Sequence, residues 1–220
     1  MKRKLSVYLD TSVISALFDD RNPQRKDLTK EFFDKKDNFK LFVSDTVLLE
    51  IEKIDNTQLH DQMIQIVSPF KSFAITPDIE ELSLEYVRNG AIPKSHLEDA
   101  YHIAIATMNE MDCLVSWNFR HIVRRKTKEI IRMVNTLNEF KIIEILTPAE
   151  LLWGEYLKLV LSENELKKIR EDVEKEFPHD MALQEVHIAR KIIAKEVKES
   201  GCSYYEYIQK WKKEKNRKKN

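Results

Sequence analysis

Short apolar runs alternate with longer stretches whose apolar positions recur every three or four residues, as far as about residue 152. Residues 5–9 (Leu-Ser-Val-Tyr-Leu) predict a strand that delivers Asp10 at its C-terminal end. Further strands are predicted at 40–43, 72–75, 113–117 and 141–146. Helices are predicted between them, over 13–18 with Thr11 and Ser12 as caps, over 26–37, and again over 58–67. A helix after the cap pair Ser44-Asp45 carries Val47, Leu48, Ile51 and Ile54 as a one-sided stripe, with Glu50 beside it. Thr76-Pro77-Asp78 opens another helix that closes at Asn89-Gly90. The helix over 96–109 has Ala100, Ile103, Ala104 and Met108 as its buried face, and one over 124–139 follows the fourth strand. Thr147-Pro148-Ala149-Glu150 has the cap, the first-position proline and the third-position acid of a helix start.

This alternation predicts an α/β fold with a parallel sheet and helices on both faces. Ligands in such sheets bind outside the carboxyl ends of the strands, where Asp10 and Asn118 are both expected. After about residue 153 the pattern is helix only, with elements predicted at 163–177, 181–199 and 203–213. Two capping boxes, Ser162-x-x-Glu165 and Ser203-x-x-Glu206, mark starts there, and Pro178 separates two of the helices. The chain therefore divides into an α/β domain over 1–152 and a charged helical extension over 153–220.

Charge adds little to this picture. The chain has 37 basic and 37 acidic residues, so no net field favours nucleic acid. Locally, the last eleven residues carry seven Lys or Arg, and a second basic cluster includes Arg120, Arg124 and Arg125. Either can contact phosphates, or be a solvated surface. No apolar stretch reaches the roughly 18–20 residues of a membrane span, and the basic start meets Asp10 too early for a secretory segment. A cytoplasmic protein is expected. Cys113 and Cys202 are far apart and read as reduced structural residues.

The chemistry lies in the carboxylates. Phosphodiester hydrolysis requires an activated water and neutralisation of the scissile phosphate, and one or two Mg²⁺ or Mn²⁺ ions held by acidic side chains supply both. Asp10, Glu50 and Asp99 stand at element ends or helix edges that can converge. Each alone also reads as a cap, a solvated helix face or a first-turn acid. Glu98 is adjacent to Asp99 but about 100° away around the helix. His102 lies three residues after Asp99 and reads as a hydrogen-bonded residue of the core, while His121 follows Asn118 and can meet a phosphate. No His-x-x-x-His spacing suggests zinc. Trp117 and Phe119 alternate with Asn118, so at least one of them is expected to pack on the sheet. A dehalogenase-type phosphatase needs a second Asp where Ser12 stands, and no glycine-rich loop follows the first strand, which excludes a nucleotide cradle.

Four segments occur in order: Val7-Tyr8-Leu9-Asp10-Thr11-Ser12, Ser44-Asp45-Thr46-Val47-Leu48-Leu49-Glu50, Glu98-Asp99-Ala100-Tyr101-His102-Ile103-Ala104, and Leu114-Val115-Ser116-Trp117-Asn118-Phe119. Together they resemble the PIN-domain family, and within it the VapC-type toxin ribonucleases of prokaryotic toxin–antitoxin pairs. The likeness covers residues 5 to about 152. It implies a three-layer α/β/α sandwich, Mg²⁺ or Mn²⁺ dependence and endonucleolytic cleavage of RNA. Asp10, Glu50 and Asp99 match the metal-binding acids, with Ser12 in the place of the family's small hydroxyl residue and Glu98 in support. Asn118 falls where many members carry a fourth Asp, a departure that removes one negative charge.

The implied function is a metal-dependent endoribonuclease, the toxin of a type II toxin–antitoxin system, with Asp10, Glu50, Asp99 and Asn118 as its catalytic set. Its implied partners are RNA, an antitoxin protein and a second copy in a homodimer. The alternatives are a weakened PIN fold that binds RNA or protein, and a toxin inhibited by its own helical tail.

Overall fold

Val7, Tyr8 and Leu9 are all wholly buried, so the first strand is covered on both of its faces. Cys113, Leu114 and Val115 are buried in succession too. Two such strands side by side require layers above and below, as a parallel sheet has. In the computed structural model, which describes residues 3–152, 163–176, 178 and 191, five parallel strands stand in the order β3-β2-β1-β4-β5. They are β1 (Leu5–Leu9), β2 (Phe39–Ser44), β3 (Lys71–Phe73), β4 (Cys113–Val115) and β5 (Glu144–Leu146). The expected α/β sheet is present, with helices flanking it.

The strand order sets the place of the site. From β1 the chain builds outward through β2 and β3, then returns to the other side of β1 for β4 and β5. Val7 pairs with Cys113 and Leu9 with Val115, so β1 and β4 end level with each other. A crevice opens at this reversal, outside their carboxyl ends.

The sheet is flanked by α1 (Thr11–Ala16), α2 (Pro23–Asp34), α3 (Asp45–Glu52), α4 (Thr57–Val67), α5 (Pro77–Arg88), α6 (Leu97–Met108) and α7 (Arg125–Leu137), and a further helix starts after Thr147. Three starts follow local chemistry as expected: Ser44 accepts from the Val47 amide, Thr76 from that of Ile79, and Thr147 from that of Glu150 at 3.1 Å. The Glu150 carboxylate accepts in return from the Thr147 amide (2.6 Å), which completes the capping box.

Elsewhere the bounds move. α2 begins three residues before the expected 26 because Asn22 caps it and Pro23 occupies its first turn. A separate 3₁₀ turn, Lys36–Asn38, takes up the residues beyond it. The cap of α1 is Asp10 itself, not Thr11 or Ser12. α6 is buried more broadly than one stripe, since every residue from His102 to Thr107 is buried. Its alanines let it fit between the sheet and its neighbours.

One polar knot joins three of these helices inside the core. The Tyr86 hydroxyl of α5 donates to Asn135 Oδ1 of α7 (2.6 Å) and lies 3.1 Å from Thr107 Oγ1 of α6. Asn135 Nδ2 donates to Thr107 Oγ1 and to the Lys141 carbonyl, both at 3.3 Å. Burial pushes the Tyr86 phenol well above its ordinary range, so it stays a neutral donor.

The chain falls into two compact units, Met1–Gly154 and Glu155–Asn220. In the second, α8 (Glu163–Glu176) forms near the first predicted tail helix, and Lys191 pairs with Glu176 at 3.1 Å. The helices expected at 181–199 and 203–213 lie outside the described residues, as does Cys202. No helix among the described residues is long and apolar enough to cross a membrane.

Removing the Tyr86 hydroxyl tests the knot. Tyr86→Phe leaves the buried Asn135 oxygen unpaired, which costs about 1–3 kcal/mol. Urea unfolding is expected to show that loss with an unchanged slope, and a loss under about 0.3 kcal/mol would contradict the role assigned to the hydroxyl.

Candidate active site

β1 hands its last carboxylate to the crevice without letting go of the backbone. The Asp10 amide still donates to the Val115 carbonyl of β4 (3.1 Å), while its side chain turns to cap α1. Oδ1 accepts from the Ser12 amide (3.1 Å), and Oδ2 accepts from the hydroxyls of Ser12 (2.7 Å) and Ser116. Each serine oxygen also accepts from the chain leaving β4, Ser12 from the Trp117 amide and Ser116 from the Asn118 amide, both at 2.9 Å. The buried Asp10 carboxylate is thus fixed from α1 and from the exit of β4 at once.

Glu50 reaches the same place from α3. Its Oε2 accepts from the Thr11 hydroxyl and lies 3.3 Å from His102 Nε2, which is itself 3.8 Å from Asp10 Oδ1. On its other side His102 Nδ1 is 2.7 Å from the Tyr8 hydroxyl, which is 2.6 Å from Ser44 Oγ. Since Ser44 Oγ accepts from the Val47 amide (3.5 Å), its own hydrogen is available to Tyr8. One satisfied order of donors is then Ser44 to Tyr8 to His102 to Glu50.

The titrations follow from this geometry. Burial disfavours a charged His102, yet the bond to Glu50 and the charges of Asp10, Glu50 and Asp99 outweigh it and raise its pKa. Burial likewise works against the Glu50 carboxylate, but His102 and Thr11 hold its pKa below the ordinary value. Tyr8 is pushed far up, by burial first and then by the charges of Asp10 and Glu50. It remains a phenol.

Asp99 comes from the first turn of α6 and accepts from Asn118 Nδ2 at 2.9 Å. Burial foremost, then the charge of Asp10, raise its pKa from 3.8 to about 6. The amide oxygen of Asn118 is occupied by the His121 amide (3.0 Å). Asn118 therefore presents a donor to Asp99, not an oxygen, and where a fourth Asp would repel Asp99 it holds that carboxylate in place. Glu50, Lys53, His96, Glu98 and Asp99 line the surface depression above these groups.

Of the residues singled out in the sequence, Asp10, Ser12, Glu50, Asp99 and Asn118 converge, and Glu98 is exposed on the rim. Arg120, Arg124 and Arg125 are exposed in the segment between β4 and α7 and at its start, and Arg125 bonds Glu129 at 2.7 Å. Trp117 packs inward and donates from its indole nitrogen to Thr29 (2.8 Å), whereas Phe119 is 60% exposed. Ser116 and Tyr8 read in the sequence as ordinary strand residues with no chemical role, and His96 sits in a 3₁₀ turn, Lys94–His96, with no periodic pattern.

A family model described as the PIN domain matches residues 7–116, half of the chain. The chain belongs to the PIN domain family. The matched span holds Asp10, Glu50 and Asp99 and stops two residues before Asn118, the position where this PIN domain departs from the expected acid. Among solved structures, VapC20 of Mycobacterium tuberculosis, a sarcin-ricin loop cleaving toxin, is 16% identical with a TM-score of 0.43, over 52% of this chain and 92% of its own. VapBC2 from Rickettsia felis, bound to a DNA fragment from their promoter, is 14% identical with a TM-score of 0.43, over 65% of this chain and 98% of its own. No curated protein matches the sequence.

The raised pKa of Asp99 makes a prediction about this PIN domain without metal. Between pH 4 and about 6 the folded chain holds a proton on Asp99 that the unfolded chain has lost, so stability falls as pH rises through that window. Asp99→Asn removes the penalty. In EDTA at pH 7.5 the variant is expected to be stabler by roughly 1 kcal/mol, after allowance for solvent screening of this partly exposed group, or about 2–4 °C in Tm. The gain should vanish near pH 4. An equal gain at both pH values would show that its charge is not the cause.

Proposed function

We propose that this PIN domain is a metal-dependent endoribonuclease that hydrolyses RNA phosphodiester bonds, and that it acts in the cytoplasm as the toxin of a type II toxin–antitoxin pair. The observation that carries the reading is that Asp10, Glu50 and Asp99 share one crevice: ligand atoms of Asp10 and Glu50 lie within 4.8 Å of each other and of His102, and Asp99 lines the depression with Glu50 and is acted on by the charges of both acids. Burial foremost, then the charge of Asp10, disfavours the Asp99 carboxylate, and a bound cation relieves that.

The donor set fits a hard divalent ion. All three side chains offer carboxylate oxygen, which suits Mg²⁺ or Mn²⁺. Glu50 Oε1 and Asp99 Oδ2 accept no hydrogen bond among the described residues, so both keep lone pairs to give. Asp10, Glu50 and Asp99 would hold the ion. When bound, it supplies positive charge against the scissile phosphate and acidifies the attacking water.

The remaining residues fix the acids. Ser12 and Ser116 each spend their single hydrogen on Asp10, so Ser12 orients a ligand instead of meeting the phosphate itself. Thr11 and His102 hold Glu50, and Asn118 holds Asp99. Arg120 and Arg124, exposed between β4 and α7, are placed to attract the RNA backbone. An antitoxin protein and a homodimer are partners that the resemblance implies; a toxin inhibited by its own charged helical tail is the alternative.

RNA cleavage with Mg²⁺ or Mn²⁺ tests the reading. The wild type should cut, and Asp10→Asn and Asp99→Asn should each lose several kcal/mol of rate, about 10³-fold or more. A wild type inert with both metals, alongside an Asn118→Asp variant that cuts, would instead identify a weakened PIN fold.

A further inference from the structure

A second group of donors adjoins the three acids and uses different chemistry. His96 ends the 3₁₀ turn before α6, and His121 lies in the segment after β4. Their rings stack with centroids 4.1 Å apart and an interplanar angle of 29°. One ligand atom each from His96, Asp99 and His121 lie within 4.8 Å of one another.

His121 has no other employment. It is 8% exposed, and neither of its ring nitrogens has a hydrogen-bond partner among the described residues. A buried imidazole must leave at least one N–H and one lone pair unsatisfied in that state, which is costly and uncommon. His102 shows the contrast: it is also buried, and both of its nitrogens are engaged.

We propose that His96, Asp99 and His121 form a divalent transition-metal site of the Zn²⁺, Co²⁺ or Mn²⁺ class. Two imidazole nitrogens and one carboxylate oxygen favour these ions over Mg²⁺, which takes oxygen. Coordination gives the buried His121 lone pair a partner. Asp99 is common to this group and to the three acids, with Oδ1 held by Asn118 and Oδ2 unengaged. Asn118, where a fourth acid is expected, bonds the same carboxylate, and its side-chain oxygen accepts from the His121 amide. Two neutral histidines contribute ligands there without adding negative charge. Arg120 and Arg124 oppose a cation, but both are exposed and their charge is screened.

The inference shares Asp99 with the proposed nuclease centre, so its test separates the two. Untagged full-length protein is titrated with Co²⁺ alone and followed by visible absorption, and with Zn²⁺ and Mg²⁺ by calorimetry. The wild type should show a Co²⁺ spectrum typical of nitrogen ligation. His96→Gln, at a half-exposed position, and His121→Asn should each weaken Co²⁺ and Zn²⁺ binding by at least about 10–100-fold while leaving Mg²⁺ binding within about twofold. Asp10→Asn should keep the Co²⁺ spectrum even though it abolishes cleavage, so loss of activity and loss of this site are read apart. Circular dichroism of each variant verifies the fold. Co²⁺ binding unchanged in both histidine variants would overturn the site. So would histidine-dependent binding of inorganic phosphate without Co²⁺ binding, since it would make the pair an anion contact.

Discussion

The structure turns on a conflict between two demands made on Asp10. Its backbone must remain in the sheet, bonded to Val115, while its carboxylate sits in a nearly buried crevice. An isolated carboxylate there would be costly. The hydroxyls of Ser12 and Ser116 and the Ser12 amide resolve the conflict by solvating it, and the same serines tie down the exit of β4. Once Asp10 is fixed in this way, the position of Asn118 and hence of its bond to Asp99 follows.

The other two acids meet the same problem differently. Glu50 is offset by His102, a buried base whose far side is anchored through Tyr8 to Ser44, the cap of α3. The helix that carries Glu50 and the histidine that holds it are thus joined through one chain of hydroxyls. Asp99 has only the Asn118 amide, and it is the group whose proton affinity rises. Among the three, it has the most to gain from a cation.

Much of this was legible in the sequence because the signals are local. Strand 5–9, the caps at Ser44, Thr76 and Thr147, and the acids at Asp10, Glu50 and Asp99 all stand in short patterns with a period or a cap rule. What escaped depends on contacts between distant residues. Asn118 reads as a weakened ligand until the His121 amide is seen to occupy its oxygen. His96 and His121 are 25 positions apart in segments without periodicity, so nothing in the chain announces their stacking. The cap of α1 was misplaced by one or two residues because Thr11 and Ser12 are themselves good caps, and Asp10 already had a role as a strand end. Ser116 was passed over for the same reason, as a hydroxyl inside a buried run.

The central claim is that three carboxylates from β1, α3 and α6 hold one divalent cation for phosphodiester chemistry. Crystals soaked in Mn²⁺ and measured at its absorption edge test it most directly. An anomalous peak in contact with Asp10, Glu50 and Asp99, absent in Asp10→Asn crystals, is the predicted result. A wild-type map with no Mn²⁺ signal at these three side chains, at a concentration that supports cleavage, would contradict it.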